Sequence, residues 1–140
     1  MTNQPIQPKY TPEEIIAKLQ AHPKFGSQIK PITKHQSAII SSGLEPAVVI
    51  AGAGSGKTET MSNRVLYLVA NGLATPDQIL GLTFTRKAAG ELSVRIRKRL
   101  RQLSQLPEFK HITSTSTAVT TYHSYAGKLL SEHAIRYGID

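Results

Sequence analysis

The sequence predicts an α/β fold in which helices flank a parallel sheet, and three observations lead to this prediction. Short apolar runs alternate along the chain with segments whose apolar residues recur at helical spacing. A glycine-rich turn joins the first apolar run to the helix that follows it. Turn residues separate the later runs, and each connection is long enough to hold a crossover helix. The carboxyl edge of such a sheet is where ligands bind.

The predicted elements follow the order α-α-β-α-β-α-β-α. Thr11 and Thr33 have the side chains that begin helices, and the first of these helices should end near Ala21. Asn71-Gly72 should end the helix that begins near Lys57. A long helix with an apolar inner face and arginines on its outer faces is expected around residues 88–103. Strands are predicted at 47–50, 79–85 (buried) and 118–121, a polar loop at 107–117, and a last helix from Ser124 to Arg136.

The glycine-rich turn has the layout of a P-loop, in which a strand leads into a phosphate-binding loop and then a helix. Its glycines let the backbone approach a phosphate, and its N–H groups together with the helix N-terminus form an anion site. Lys57 is expected to reach the β- and γ-phosphates, and Thr58 to bind Mg²⁺. The predicted site comprises Ala51, Gly52, Ala53, Gly54, Ser55, Gly56, Lys57, Thr58 and the adjoining Glu59.

Composition narrows the class of protein. The hydrophobic fraction of 39% and the charged fraction of 19% are ordinary for a globular domain. The sequence contains no apolar run near the ~18 residues that a membrane helix needs. Cysteine is absent, which excludes disulfides and thiolate chemistry and fits the reducing cytoplasm that we expect as the location.

The net charge of +8 is concentrated in one segment. Residues 86–101 contain seven cations and one acidic residue, Glu91. Such a segment is typical either of a solvated helix face or of a surface that binds a polyanion, most often nucleic acid. The cations are Arg86, Lys87, Arg95, Arg97, Lys98, Arg99 and Arg101.

Four blocks in order resemble the N-terminal part of UvrD/Rep-like superfamily 1 DNA helicases. The segment 32–39 resembles the Q motif, whose glutamine, here Gln36, contacts adenine. The segment 51–58 matches the family's form of the Walker A motif, with Ala51 in place of the usual first glycine of a P-loop. The segments 82–89 and 121–126 resemble two motifs that contact single-stranded DNA. The resemblance covers about residues 31–130, and it has departures: Arg86 replaces a frequent Asn, and Tyr122 and Tyr125 replace frequent Phe.

The resemblance implies a P-loop NTPase (RecA-like) sheet of which this chain contains about the first three strands. Residues 1–30 are expected to be an N-terminal extension with a short helix, and residues 31–140 the first part of the ATP-binding domain. The implied cofactors are ATP and Mg²⁺, and the implied partners are single-stranded or duplex-junction DNA and repair or recombination subunits, in a nucleoid-associated location. The implied DNA-contacting residues are Thr83, Phe84, Thr85, Arg86, Lys87, Tyr122, His123 and Ser124.

Side-chain chemistry leaves several of these roles open. Phe84, Tyr122 and Tyr125 have rings that serve equally for stacking on bases or for packing in a core. The hydroxyls of Thr83 and Thr85 suit phosphate contacts, although threonine is also common in strands. His123 has no companion ligands that would suggest a metal site.

Two other functional classes remain, a small P-loop phosphotransferase such as a nucleotide kinase and a non-catalytic nucleic-acid-binding module. Hydrolysis of ATP also needs an acidic residue on another strand to hold Mg²⁺, and no apolar run of this sequence ends in Asp-Glu. We therefore expect the 140 residues to be the opening segment of a larger helicase and to bind nucleotide with little turnover.

Overall fold

The computed structural model describes residues 8–42, 56–115 and 117–136. The predicted first strand and most of the glycine-rich loop lie outside these residues. Described helices and strands otherwise follow the predicted order. They are α1 (Pro12–Gln20), α2 (Lys34–Ile40), α3 (Gly56–Ala70), β1 (Leu80–Thr83), α4 (Arg86–Ser104), β2 (Ala118–Thr121) and α5 (Tyr122–Arg136).

The two described strands form a parallel sheet, as predicted, in which Leu80 pairs with Ala118 and Thr83 with Thr121. Helix α4 connects the strands and packs against both of them. The expectation of a fully buried strand at 79–85 is wrong, because Leu80 is 43% exposed and the rest of β1 is half-buried. The pairing leaves β1 and β2 ending side by side, so the residues after each strand share one edge.

Local capping chemistry sets the helix boundaries. The Thr11 and Thr33 hydroxyls each accept a hydrogen bond from a backbone N–H three residues on, which confirms both predicted starts. Helix α3 ends before Gly72, whose φ of 68° is the left-handed conformation that glycine favours at helix ends. Helix α5 begins two residues earlier than predicted, because the hydroxyl of Thr121, rather than that of Ser124, caps it.

The apolar core lies between the inner faces of α1, α3 and α4. Its most enclosed members include Leu19, Leu66 and Leu100. The prediction of a polar loop at 107–117 is wrong at its start: Phe109 is 1% exposed, and a 3-10 turn at Pro107–Phe109 places it in the core. No periodic pattern identifies a lone aromatic in a turn as a core residue, so its burial is set by tertiary packing.

The N-terminal segment joins this core as well. The Tyr10 N–H donates to Asn71 Oδ1 at 2.6 Å, and Asn71 Nδ2 donates back to the Tyr10 carbonyl at 3.1 Å. The Tyr10 ring also meets Phe109 edge-on, with 5.2 Å between centroids. Tyr10 is therefore fixed to the core by both its backbone and its ring, and residues 1–7 lie outside the described residues.

An ion cluster joins α3 to α4. The Glu59 carboxylate accepts hydrogen bonds from Arg95 and, at 3.1 Å, from Arg99 Nη2. The Arg99 Nη1 also donates to Gln102 Oε1 at 2.9 Å, and Arg99 is only 7% exposed. The expectation that the arginines of this helix lie on its outer faces is therefore wrong for Arg99, whose buried guanidinium has Glu59 and Gln102 as partners.

The first prediction concerns the turn after α1. A methyl group on Gly26 would lie 2.0 Å from the Gln20 carbonyl oxygen, whereas one on Gly90 in α4 would meet nothing within 4 Å. Gly26→Ala should therefore lower the free energy of unfolding by about 1–3 kcal/mol, the usual cost of overpacking. Gly90→Ala should raise it by about 0.5–1 kcal/mol through better helix propensity. Urea unfolding measures both, and equal effects would contradict the close approach of Gly26 to the end of α1.

The second prediction concerns the ion cluster. Glu59→Gln should lower the free energy of unfolding by about 3 kcal/mol, because it leaves the buried Arg99 guanidinium without a charged partner. The matched control is Glu91→Gln on the exposed side of α4, with an expected change within about 0.5 kcal/mol. If the two variants unfold at the same urea concentration, the cluster does not hold the helices together.

Candidate nucleotide and DNA site

Helix α3 begins at Gly56, immediately after the glycine-rich loop, which confirms the helix predicted at this position. Residues 51–55 and the side chain of Lys57 lie outside the described residues. Thr58 is half-buried in the first turn of α3, and its carbonyl accepts a 2.9 Å hydrogen bond from Ser62 Oγ. The free N–H groups of a first helical turn attract anions, so the position of α3 suits a phosphate ligand.

Thr58 also suits a magnesium ion. Its hydroxyl has no hydrogen-bond partner within the described part of the chain, and oxygen is the donor that Mg²⁺ prefers. The neighbouring Glu59 has its carboxylate turned toward α4, where it binds the two arginines and is 15% exposed. In this arrangement Glu59 anchors the first turn of α3 to α4.

Gln36 lies in the first turn of α2 and is half-buried. Its Oε1 accepts a 2.9 Å hydrogen bond from the Thr33 N–H as part of the capping box. The Gln36 Nε2 has no hydrogen-bond partner among the described residues, so this amide can donate to a ligand without disturbing the cap.

Arg64 holds α2 against α3, a role that sequence reasoning missed. Its Nη1 donates to the carbonyls of Ile40 and Ser42 at 2.9 and 2.8 Å. These carbonyls lie at the C-terminal end of α2, where a cation is favourable. Burial lowers the pKa of Arg64, but an arginine in this setting keeps its charge. The sequence signal was a cation six residues after Thr58, immediately before the apolar run at residues 65–70.

The shared edge of the two strands carries a pair of exposed rings. Phe84, directly after β1, is 87% exposed, and Tyr122, directly after β2, is 49% exposed. Their ring centroids are 5.0 Å apart with a 42° tilt between the planes. Core packing, the alternative for Phe84, is therefore wrong. Tyr125, one helical turn further along α5, is half-buried.

The hydroxyls at this edge order the turns that carry the rings. Thr83 Oγ1 donates to the Thr85 carbonyl at 3.0 Å, and Thr85 Oγ1 accepts from the Ala88 N–H at 3.1 Å. Thr121 Oγ1 donates to Ser124 Oγ at 2.9 Å and accepts from the Ser124 N–H at 3.1 Å. Thr121 was not among the predicted site residues, although a threonine three residues before a serine at a helix start is a capping signal.

The charge at this edge is positive. Arg86 and Lys87 form the beginning of α4, are exposed, and have no carboxylate partner among the described residues. Cations at a helix N-terminus oppose the helix dipole, and the first turn of α4 contains no acidic residue. His123 is likewise exposed at the start of α5. The arrangement favours an anionic ligand, which both the dipole and the side chains attract.

Across the part of the chain that the structure describes, no helix combines the length and the apolar character needed to cross a membrane.

Comparisons with known proteins agree with this geometry. The family model of the UvrD/REP helicase N-terminal domain matches residues 32–140. DNA helicase IV of Escherichia coli is 43% identical over 86 residues, covering 60% of this chain and 13% of that protein. The ATP-dependent DNA helicase PcrA of Staphylococcus epidermidis is 31% identical over 112 residues, 80% of this chain and 14% of that protein.

The ATP-dependent DNA helicase Rep of Buchnera aphidicola subsp. Schizaphis graminum is 47% identical over 87 residues, 62% of this chain and 12% of that protein. The chain thus spans only a small part of the length of these relatives. Because the family model matches well over half of the residues, the chain belongs to the UvrD/REP helicase N-terminal domain family.

Proposed function

We propose that this chain is the nucleotide-binding and DNA-contacting segment of an ATP-dependent DNA helicase or translocase. The observation that carries the proposal is the exposed Phe84–Tyr122 pair at the ends of two neighbouring parallel strands. Large exposed rings are costly in water, and nucleobases are the ligands that such rings stack on most readily. The names of the relatives, which are DNA helicases, agree with this assignment.

In this proposal the nucleotide lies against the N-terminus of α3. Lys57 and the loop N–H groups of residues 51–56 hold the phosphates of ATP, the Thr58 hydroxyl binds Mg²⁺, and Gln36 Nε2 donates to the adenine. Mg²⁺ when bound neutralises phosphate charge and orients the γ-phosphate for attack. The side chains of this chain bind and orient the nucleotide, and Arg64 and Glu59 keep α2 and α4 in place around α3.

The DNA lies along the edge formed by Phe84, Tyr122 and the residues beside them. The two rings stack on bases, while Arg86, Lys87 and His123 contact phosphates, and the hydroxyls of Thr83, Thr85 and Ser124 order the turns and contact the backbone. Stacking tolerates any base sequence, and phosphate contacts carry no sequence information, so binding should be sequence-independent.

The third prediction tests the nucleotide site. Lys57→Ala should weaken binding of a fluorescent ATP analogue at least tenfold, because it removes a cation that contacts the phosphates. Lys24→Ala, at an exposed lysine in the turn after α1, should leave the affinity unchanged. Equal affinities of the two variants would refute the P-loop assignment, and robust ATP turnover by these 140 residues would refute the expectation of little hydrolysis.

The fourth prediction tests the DNA edge. Phe84→Ala should weaken binding of an oligothymidine by a factor of about 5–100, the range for loss of one stacked base. The slope of log affinity against log salt should not change, because the ring contacts no phosphate. Leu130→Ala, at another exposed apolar residue, is the matched control and should bind as the wild type does.

The nucleotide dependence of DNA binding then separates the functional classes. A helicase segment should bind oligothymidine with an affinity that changes when ATP is added, whereas a non-catalytic binding module should be indifferent to ATP. If Phe84→Ala and Leu130→Ala both bind as tightly as the wild type, the strand edge is not the DNA site.

A further inference from the structure

The cations of α4 divide into two groups with opposite surroundings. Arg95 and Arg99 face α3 and share the Glu59 carboxylate. Lys87, Arg97, Lys98 and Arg101 are exposed, and none of them has a carboxylate partner among the described residues. We name these four residues, together with the exposed Val94 between them, the α4 outer stripe. The same helix thus uses two arginines for packing, whereas five cations, the four of the stripe and Arg86 at the start of the helix, face solvent.

The stripe follows one face of the helix. Lys87, Val94, Lys98 and Arg101 are separated by seven, four and three residues, the spacing that keeps side chains on one side. The opposite face carries Leu92, Ile96 and Leu103, which are buried in the core. With a rise of 1.5 Å per residue, the stripe extends about 21 Å from Lys87 to Arg101. That length matches roughly six successive phosphates of one DNA strand.

Helix stability does not explain this pattern. Arg97 and Arg101 are four residues apart, an arrangement of like charges that destabilises a helix by a few tenths of a kcal/mol. The residues one turn before Arg97 and Lys98 are Ser93 and Val94, which offer no opposite charge, and the one acidic residue of α4, Glu91, lies one turn after Lys87, nearer the start of the helix. The repulsion is relieved when a polyanion binds along the stripe, so the charge distribution favours such a ligand.

We propose that the α4 outer stripe binds the phosphate backbone of duplex DNA beside the single-stranded edge. The stripe contains no aromatic ring, so it has nothing on which an unpaired base can stack. Gly90 lies on the same face and has no side chain, and the space beside it is open. A DNA backbone can therefore approach the helix closely at this position. A ligand whose bases are already stacked inside a duplex suits such a surface.

The position of the helix supports the same assignment. Helix α4 begins at Arg86, two residues after Phe84, and runs back along the sheet, so its stripe extends away from the ring pair. A junction can therefore place its single strand on Phe84 and Tyr122 and its duplex arm on α4. This inference rests on the proposed function, since it assigns the second arm of the same DNA substrate.

The test compares two triple variants with the same loss of charge. Arg97→Gln/Lys98→Gln/Arg101→Gln removes the stripe, and Lys24→Gln/Lys30→Gln/Lys110→Gln removes three exposed lysines elsewhere. The probes are a blunt duplex of about two helical turns, the same duplex with an oligothymidine tail, and oligothymidine alone, each titrated over a range of salt concentrations.

The stripe variant should bind both duplex probes at least tenfold more weakly than the wild type. The slope of log affinity against log salt should become shallower by about 2–3, since each lost phosphate contact removes about 0.9. Its affinity for oligothymidine should change less than about threefold, and the control triple should behave as the wild type with every probe. Equal losses in the two triples, or equal losses on duplex and oligothymidine, would overturn the inference.

A second pair of variants keeps the cations and adds one opposing charge. Gly90→Glu places a carboxylate within the stripe, and Gly127→Glu places one at an equally open position of α5. Only Gly90→Glu should weaken duplex binding. Equal duplex affinities of the two variants would contradict the proposal that the stripe binds duplex DNA. If the wild type binds oligothymidine and ATP but no duplex, the inference fails while the proposed function stands. If it binds neither oligothymidine nor ATP, the proposed function itself fails.

Discussion

The carboxylate of Glu59 holds together the two helices on which both candidate sites depend. Helix α3 begins after the glycine-rich loop, and α4 begins at the candidate DNA edge, so the bonds from Arg95 and Arg99 to Glu59 join the two helices that carry the candidate sites. Because Arg99 is almost fully buried, its charge needs a partner within the protein, and the Glu59 carboxylate supplies that partner.

The rest of the described structure is attached to α3 in the same way, by polar side chains at intervals along its length. Glu59 binds α4, Arg64 binds the C-terminal carbonyls of α2, and Asn71 binds the backbone of Tyr10. Each of these contacts joins segments that are far apart in sequence. The apolar faces of α1, α3 and α4 supply most of the burial, and the three polar contacts select the orientation in which they pack.

Much of this architecture could be predicted from local signals. Thr11 and Thr33 begin their helices, Gly72 follows the end of α3, and the segments at 80–83 and 118–121 pair in parallel as expected. What could not be predicted depended on partners distant in sequence. Phe109 is buried because α1 and α4 enclose its turn, and Arg99 is buried because Glu59, forty residues earlier, supplies its counter-charge.

The candidate site likewise has features that could be predicted from the sequence and features that could not. Phe84 and Tyr122 were both among the DNA-contacting residues that the family resemblance implied, and they do lie together at one edge of the sheet. The exposure of Phe84 could not be predicted, because a phenylalanine at the end of a strand is equally suited to packing in a core. The contributions of Arg64 and Thr121 were missed because hydrogen bonds to another helix or across a turn leave little trace in a single sequence.

The contacts of α1 also bear on the order in which the chain acquires structure. Lys18 in α1 donates to Glu108 at 2.8 Å, across ninety positions of sequence, and Tyr10 meets Asn71 across sixty-one. At a synthesis rate of about 5–20 residues per second, α1 is made roughly 5–20 seconds before residue 108. Within that interval the apolar side of α1 can pack against α2 and α3, which are made earlier, whereas its contact with Glu108 forms last. The packing of α1 is therefore completed only after the turn at Pro107–Phe109 has been made.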